Sequence, residues 1–164
     1  MTDLRTDLSD AAQTGDTERL KALLDRNRAF VSMPDSQGYT PLHYAAYFGH
    51  YDAATYLLSI GADKGAISMD PLRSTPLHAA ASSGNKEVAG LLIDAGADPN
   101  AEQTGQWTPL HSAAAGGHAD IVTMLLAHGA DPKRQSASGA TPKDLAAERG
   151  HQACLAVLEP RTNS

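Results

Sequence analysis

The sequence predicts an all-α solenoid of stacked helix–turn–helix units. Three observations carry that expectation. TPLHYAAYFGH at 40–50 returns as TPLHAAASSGN at 75–85, as TPLHSAAAGGH at 108–118 and, weakened, as TPKDLAAERGH at 141–151. Thr40, Thr75, Thr108 and Thr141 stand 35, 33 and 33 residues apart. A second signature, GAD, follows each full copy at 61–63, 96–98 and 129–131. A period near 33 belongs to architectures in which each unit touches only its neighbours, not to a globule around one central site.

Within a copy the elements follow in order. Thr at the N-cap accepts a hydrogen bond from a free amide of the first turn. Pro at the next position lacks a donor that would have gone unpaired, and its φ already suits a helix. A short helix then stops at Gly49, Gly84, Gly117 or Gly150, where a left-handed residue ends it. A second helix carries a leucine pair or its equivalent: Leu23 and Leu24, Leu57 and Leu58, Leu92 and Ile93, Leu125 and Leu126. It ends at Gly61, Gly96 or Gly129, with Asn27 expected at positive φ in the first copy. The stretch from GAD to the next TPLH is too polar and too rich in Gly and Pro for a helix, and is expected to be an extended loop with a turn. Helices this short cannot bury an apolar face alone, so stacking must do it. Ala45 and Ala46, Ala79 and Ala80, Ala113 and Ala114, and Ala146 and Ala147 let the inner helices approach closely, while the outer helices supply bulk.

TDLSDAAQTGD at 6–16 aligns as a degenerate first copy, with Gly15 placed 34 residues before Gly49. The chain thus divides into units of about 1–34, 35–69, 70–102, 103–135 and 136–164 in a single domain. Polar outer sides are expected at both ends: Arg19, Lys21, Asp25 and Arg26 in the first unit, and Lys143, Asp144, Glu148 and Arg149 in the last. The closing EPRTNS is expected to fray.

With TPLHxAA, the Gly-His that follows, the double leucine and GAD in register, the chain resembles the ankyrin repeat family over roughly residues 4–159, as three complete units and two caps. The resemblance implies paired antiparallel helices in a curved stack, with β-hairpin-like loops giving an L-shaped section. It also implies binding of another protein through the hairpin tips and the concave helix face, and a structural role for the TPLH histidine. One link departs from the pattern: GADKGAISMDPLRSTPLH is two residues longer than the 33-residue norm and has Arg73 where Gly is usual. A distorted hairpin is expected there, with Ile67, Met69 and Leu72 lacking a core to fill.

Composition narrows the function. A net charge of −6 argues against a general nucleic-acid binder. The polar start MTDLRTDLSDAAQ does not read as a secretory leader, and no segment approaches the ~18 apolar residues of a membrane span. The lone Cys154 permits no disulfide within the chain. A cytoplasmic setting is expected. Cys154 aligns with Ala53, Val88 and Ile121, which is a core position and predicts a buried, inert thiol.

Six of the seven histidines recur once per unit: His43, His78 and His111 in TPLH, and His50, His118 and His151 after the helix-ending Gly. Residues repeated at that period serve the unit. His128, near the end of an outer helix, suits the helix C-terminus. HExxH, a close His-x-His pair, GxGxxG and a nucleophile–base spacing around Ser9 or Ser112 are all missing from the sequence. The charges on the outer helices, such as Lys86, Glu87, Asp94 and Asp120, read as a solvated face. No enzyme, cofactor or metal is expected.

All five tyrosines and one of the two phenylalanines fall within 38–56. In the helix after Thr40, Leu42, Ala45 and Ala46 form the stripe shared by every unit. Tyr44, Tyr47 and Phe48 also fall at i, i+3 and i+4, on a stripe centred opposite. The same three places hold Ala79, Ser82 and Ser83 in the next copy, and Ser112, Ala115 and Gly116 in the third. The scaffold therefore does not require rings there. Tyr44 lies close to the stacking surface, with core and surface both open. Tyr56 aligns with Leu91, Met124 and Val157 and is expected in the core, and Tyr51 on the convex side. Tyr39 precedes Thr40 on the hairpin arm, and Trp107 holds that place two units later, with Ser74 between. The expected partner-binding residues are Tyr39, Tyr47, Phe48 and Trp107 as anchors, with Leu72 and Arg73 beside them. Gln37, Gln106, Glu148 and Arg149 add a rim. The expected function is a non-catalytic module, monomeric, binding another protein but no nucleic acid or membrane. A small molecule in the aromatic groove and a homodimer through the same face are the alternatives.

Overall fold

In the computed structural model, the structure describes residues 3–159. Ten α-helices run through them and no strand is found among the described residues. The inner helices are α1 (Leu4–Thr14), α3 (Pro41–Phe48), α5 (Pro76–Ser83), α7 (Pro109–Gly116) and α9 (Pro142–Glu148). The outer ones are α2 (Thr17–Leu24), α4 (Tyr51–Ser59), α6 (Lys86–Asp94), α8 (Ala119–Ala127) and α10 (Gln152–Leu158). A 3₁₀ turn, Arg28–Phe30, sits in the first connecting loop. Inner helices pack on inner, outer on outer, and each pair packs on itself, which is a solenoid. The closing residues 160–164, expected to fray, lie outside the described part.

Burial follows the repeat. Leu42, Leu77 and Leu110 of the inner helices and Leu57, Leu92 and Leu125 of the outer ones are sealed from solvent. The paired alanines are buried too, with two corrections. In α5 the buried pair is Ala80 and Ala81, one place later than expected, and half-buried Ala79 faces away. In α9 Ala147 is exposed, because among the described residues no further inner helix covers that side. Cys154 is fully buried, and burial pushes its thiol above the ordinary cysteine value.

The Thr-Pro-Leu-His segment works as a relay. His43 Nδ1 lies 3.3 Å from the Thr40 amide and 2.8 Å from its hydroxyl, closing the first turn from both sides. Its Nε2 reaches the Ser74 carbonyl of the next hairpin at 2.9 Å. A carbonyl only accepts, so Nε2 carries the proton and Nδ1 is left as the acceptor for the Thr amide. His78 repeats this between Thr75 and the Trp107 carbonyl, and His111 between Thr108 and the Ala140 carbonyl. In the last copy Asp144 takes over the local half, accepting from the Thr141 amide at 2.8 Å. The second set of histidines looks backwards: Nε2 of His50, His118 and His151 bonds the carbonyls of Gln13, Ser82 and Ala115 in the preceding unit. Asn85 does the same towards Ala46 and Tyr47. The off-pattern His128 instead caps its own helix, with Nδ1 2.8 Å from the Met124 carbonyl.

The hairpin-like loops are joined tip to tip. Met69 donates to the Gly38 carbonyl, Thr104 to Leu72 and Ala137 to Gly105. One isolated antiparallel bridge, Gln103 with Trp107, marks the strand-like arms. The long link is absorbed in its own hairpin. Where Asp35 donates to Tyr39 and Gln103 to Trp107, both spanning four residues, the corresponding bond runs from Ser68 to Ser74, spanning six. The two extra residues loop out there, held by Asp70, which accepts from the Ser68 hydroxyl, the Leu72 amide and the Tyr39 hydroxyl. The apolar side chains of this link are exposed as expected, Met69 most of all at 75%. Asn27 differs from its expectation: its φ is −140°, and its side chain donates to the Leu23 carbonyl instead of taking a left-handed turn.

Arg73 and Gln106 stand where Gly38 and Gly139 turn the other hairpins, and both adopt the same left-handed backbone, at φ 53° and 58°. Side chains there cost about 1 kcal/mol or more. Gly relieves this but loses more entropy on folding. Arg73→Gly and Gln106→Gly are each expected to stabilise by ~0.5–1 kcal/mol, read as a raised urea midpoint. A midpoint that stays or falls contradicts the strain.

Candidate partner-binding groove

The inner helices curve around a groove of about 510 Å³. Its aromatic wall comes from α3. Tyr47 and Phe48 are 53% and 44% exposed, and their rings meet edge to face at 5.2 Å between centroids. Phe48 also stacks on His50 at 6.4 Å. The floor is made of small side chains: Ala79 and Ser82 from α5, then Ser112, Ala115 and Gly116 from α7. The hairpin side is closed by Tyr39, Leu72 and Trp107, and the far end by Arg149. Of the expected anchors and neighbours, the structure brings Tyr39, Tyr47, Phe48, Leu72 and Trp107 to one groove, while Arg73 stands outside its lining on the exposed hairpin tip.

Tyr39 is not a free anchor. It is half-buried, its ring meets Tyr44 edge to face at 5.7 Å, and its hydroxyl donates to Asp70 at 2.9 Å. Burial and then that bond push its pKa above the ordinary tyrosine value. Tyr44 is likewise half-buried, and its hydroxyl donates to Asp35 at 2.9 Å. Its pKa is driven far up, first by burial and then by that carboxylate. The acids respond in the opposite sense. Partial burial alone would raise Asp35, but the Ser9 and Tyr44 hydroxyls and the Tyr39 and Gln37 amides facing it hold it below the usual carboxylate value. Asp70 is held low in the same way by Ser68, Tyr39 and the amides of its turn. Both carboxylates are therefore occupied behind the rings. Tyr51 is exposed at the start of α4, away from this lining. Tyr56, expected in the core, is half-buried: it packs against the core with Lys21 6.0 Å above its ring.

Sequence reasoning missed two lining residues, Gln13 and Gln103. Gln13 precedes Gly15 by two places, as Tyr47 precedes Gly49, so the repeat register could have found it. Gln103 shows only through its bridge to Trp107. Among the described residues, no group of three or more His, Cys, Asp or Glu could hold a metal ion, and no helix is long and apolar enough to cross a membrane.

Comparison with known families places this geometry. The family described as ankyrin repeats (3 copies) matches residues 77–163, and that described as ankyrin repeats (many copies) matches residues 8–58. The chain is an ankyrin repeat protein. Human ankyrin repeat domain-containing protein 39 is 48% identical over 52 residues, covering 32% of this chain and 28% of the relative. Human protein phosphatase 1 regulatory subunit 27 is 41% identical over 63 residues, 38% of this chain and 40% of the relative. Mouse serine/threonine-protein kinase TNNI3K is 40% identical over 55 residues, 34% of this chain and 7% of the relative. This ankyrin repeat protein thus spans less than half the length of each.

Proposed function

We propose that this ankyrin repeat protein is a non-catalytic, monomeric interaction module of the cytoplasm, binding another protein across its concave groove. Tyr47, Phe48 and Trp107 are the anchors, Tyr39 is a fixed wall behind them, and Leu72 and Arg73 contribute from the hairpin rim. It needs no cofactor, nucleic acid or membrane. One observation carries this reading: α3 spends two large aromatic side chains on solvent beside a floor of Ala, Ser and Gly, where the same helix positions of the next two units hold small residues. Exposed aromatic patches of this kind mark interaction sites, and Tyr and Trp are over-represented among binding hot spots. The family supports the same conclusion, and one relative carries the name of a phosphatase regulatory subunit.

The test is capture of partners by cross-linking in native extract, followed by affinity measurement with purified protein. Trp107→Ala, Tyr47→Ala and Phe48→Ala are each expected to cost ~2 kcal/mol of binding, about thirty-fold, with thermal stability retained. Unchanged affinity in a folded triple variant would rule this face out. Light scattering at micromolar concentration separates a homodimer through the same rings.

A further inference from the structure

We propose that the occupant of the groove is an extended segment of the partner protein, with an apolar side chain against the aromatic wall and a carboxylate on Arg149. This rests on the concave-face reading above and adds to it the chemistry and spacing of the ligand. The position before each helix-ending glycine holds, unit by unit, Phe48, Ser83, Gly116 and Arg149. The aromatic wall and the guanidinium are therefore the same repeat position, three helices apart, with small residues between. Inner helices at the usual spacing of ~8–10 Å put them roughly 25 Å apart.

The charge at that end is built in and unanswered. Arg149 Nη1 donates to the Ala115 carbonyl at 3.2 Å, which also accepts from His151, so the guanidinium is held against the groove floor. The ion pairs among the described residues are Arg19–Asp7, Lys21–Glu18, Arg134–Glu102 and Lys143–Glu159, and Arg149 takes part in none. Glu148 is its chain neighbour, and adjacent helix positions do not face each other. The nearby acids at the other end, Asp35 and Asp70, are consumed behind the rings. No other lining side chain is Asp, Glu, Lys or Arg. In a chain of net charge −6, the groove thus offers a single cation, with the planar fork that suits a carboxylate. The distance from the aromatic wall to Arg149 sets the spacing of the ligand's two groups. An extended chain at ~3.3 Å per residue covers the distance in about seven or eight residues.

The experiment selects random peptides of about twelve residues by display on the full chain, then measures synthetic winners by fluorescence anisotropy. Enriched peptides should carry an apolar or aromatic residue and Asp or Glu about seven or eight positions apart. Arg149→Glu should weaken them at least tenfold, and Lys in place of the peptide's acid should restore binding to that variant. Arg149→Gln serves as a second variant with no charge reversal and should weaken them several-fold. Winners without an acid, or binding indifferent to both Arg149 variants, overturn the inference and leave the anchors standing. No winners, while the captured partner still depends on Trp107, overturns the extended segment alone. Winners indifferent to Tyr47→Ala, Phe48→Ala and Trp107→Ala overturn the groove reading as well.

Discussion

Urea is expected to unfold this protein at a far lower concentration at pH 4.5 than at pH 7. The cause is the histidine relay. Burial drives the His78 pKa down to about 4, against ~6.5 in an unfolded chain. His43 and His111 are lowered by the same cause. Between those values the unfolded state binds protons that the folded state refuses, so stability rises with pH. The contribution is complete above about pH 6.5 and drains as pH falls towards 4. For His78 alone the span of roughly 2.5 units corresponds to ~3 kcal/mol, and the other two histidines add in the same direction. Asp35 and Asp70 do not confuse this window. Their folded pKa values lie below the carboxylate norm, so their contribution stays in place above pH 4 and is lost only in stronger acid. His78→Gln keeps an acceptor for the Thr75 amide and does not titrate, so it should flatten the pH dependence even where it lowers stability at pH 7. Equal midpoints at pH 7 and pH 4.5 would show that these rings are not buried neutral.

Truncating Leu110 to Ala is expected to cost ~3 kcal/mol and to divide the molecule. Leu110 is sealed in α7, between α5 and α9, so the methyl groups removed leave a void that two neighbours line. For a domain whose whole stability is ~5–15 kcal/mol, that is a large part of it. The stack has only neighbour-to-neighbour contacts, so the weakened unit can open before the units beside it. Trp107, the sole tryptophan, sits just before that unit's inner helix and reports it locally. Its fluorescence transition should precede the loss of helical circular dichroism, whereas both coincide in the parent. Leu158→Ala in the last outer helix, packed from one side, should cost less and leave the two signals together. A Leu110→Ala loss below ~1 kcal/mol would contradict the packing.

Much of this was readable because it repeats. Thr-Pro-Leu-His told its role three times, and helical phase alone separated Tyr47 and Phe48 from Leu42, Ala45 and Ala46. What escaped was whatever one unit does once. The Tyr39 hydroxyl is tied to Asp70, 31 residues on, inside the lengthened hairpin, and no pattern announces such a pair. The buried alanines of α5 were placed one position early in a run of three, Ala79 to Ala81, although aligning Thr75 with Thr40 already puts Ala79 at the Tyr44 place and Ala80 and Ala81 in the buried stripe. Asn27 resembled a left-handed stop, but a 3₁₀ turn follows it in place of GAD and removes the need. Arg149 was legible as a rim residue, whereas its seat against the Ala115 carbonyl is a fact of three dimensions.

The glycines that end α3, α5 and α7 have a consequence for how such a chain can change length. A Cβ on Gly49, Gly84 or Gly117 would come within 2.6–2.7 Å of Asn85, His118 or His151, the residues that open the second helix of the following unit. Socket and plug therefore sit side by side in the sequence, Gly then His or Asn, and every unit after the first carries one of each. Copying a whole unit copies both halves of the joint, so an array can gain a module by a single in-frame duplication with no new interface to invent. Lengthening a hairpin, as at Ser68–Ser74, instead changes one position of the binding face and leaves the joints alone. Reach and selectivity are thus adjustable by separate kinds of genetic event.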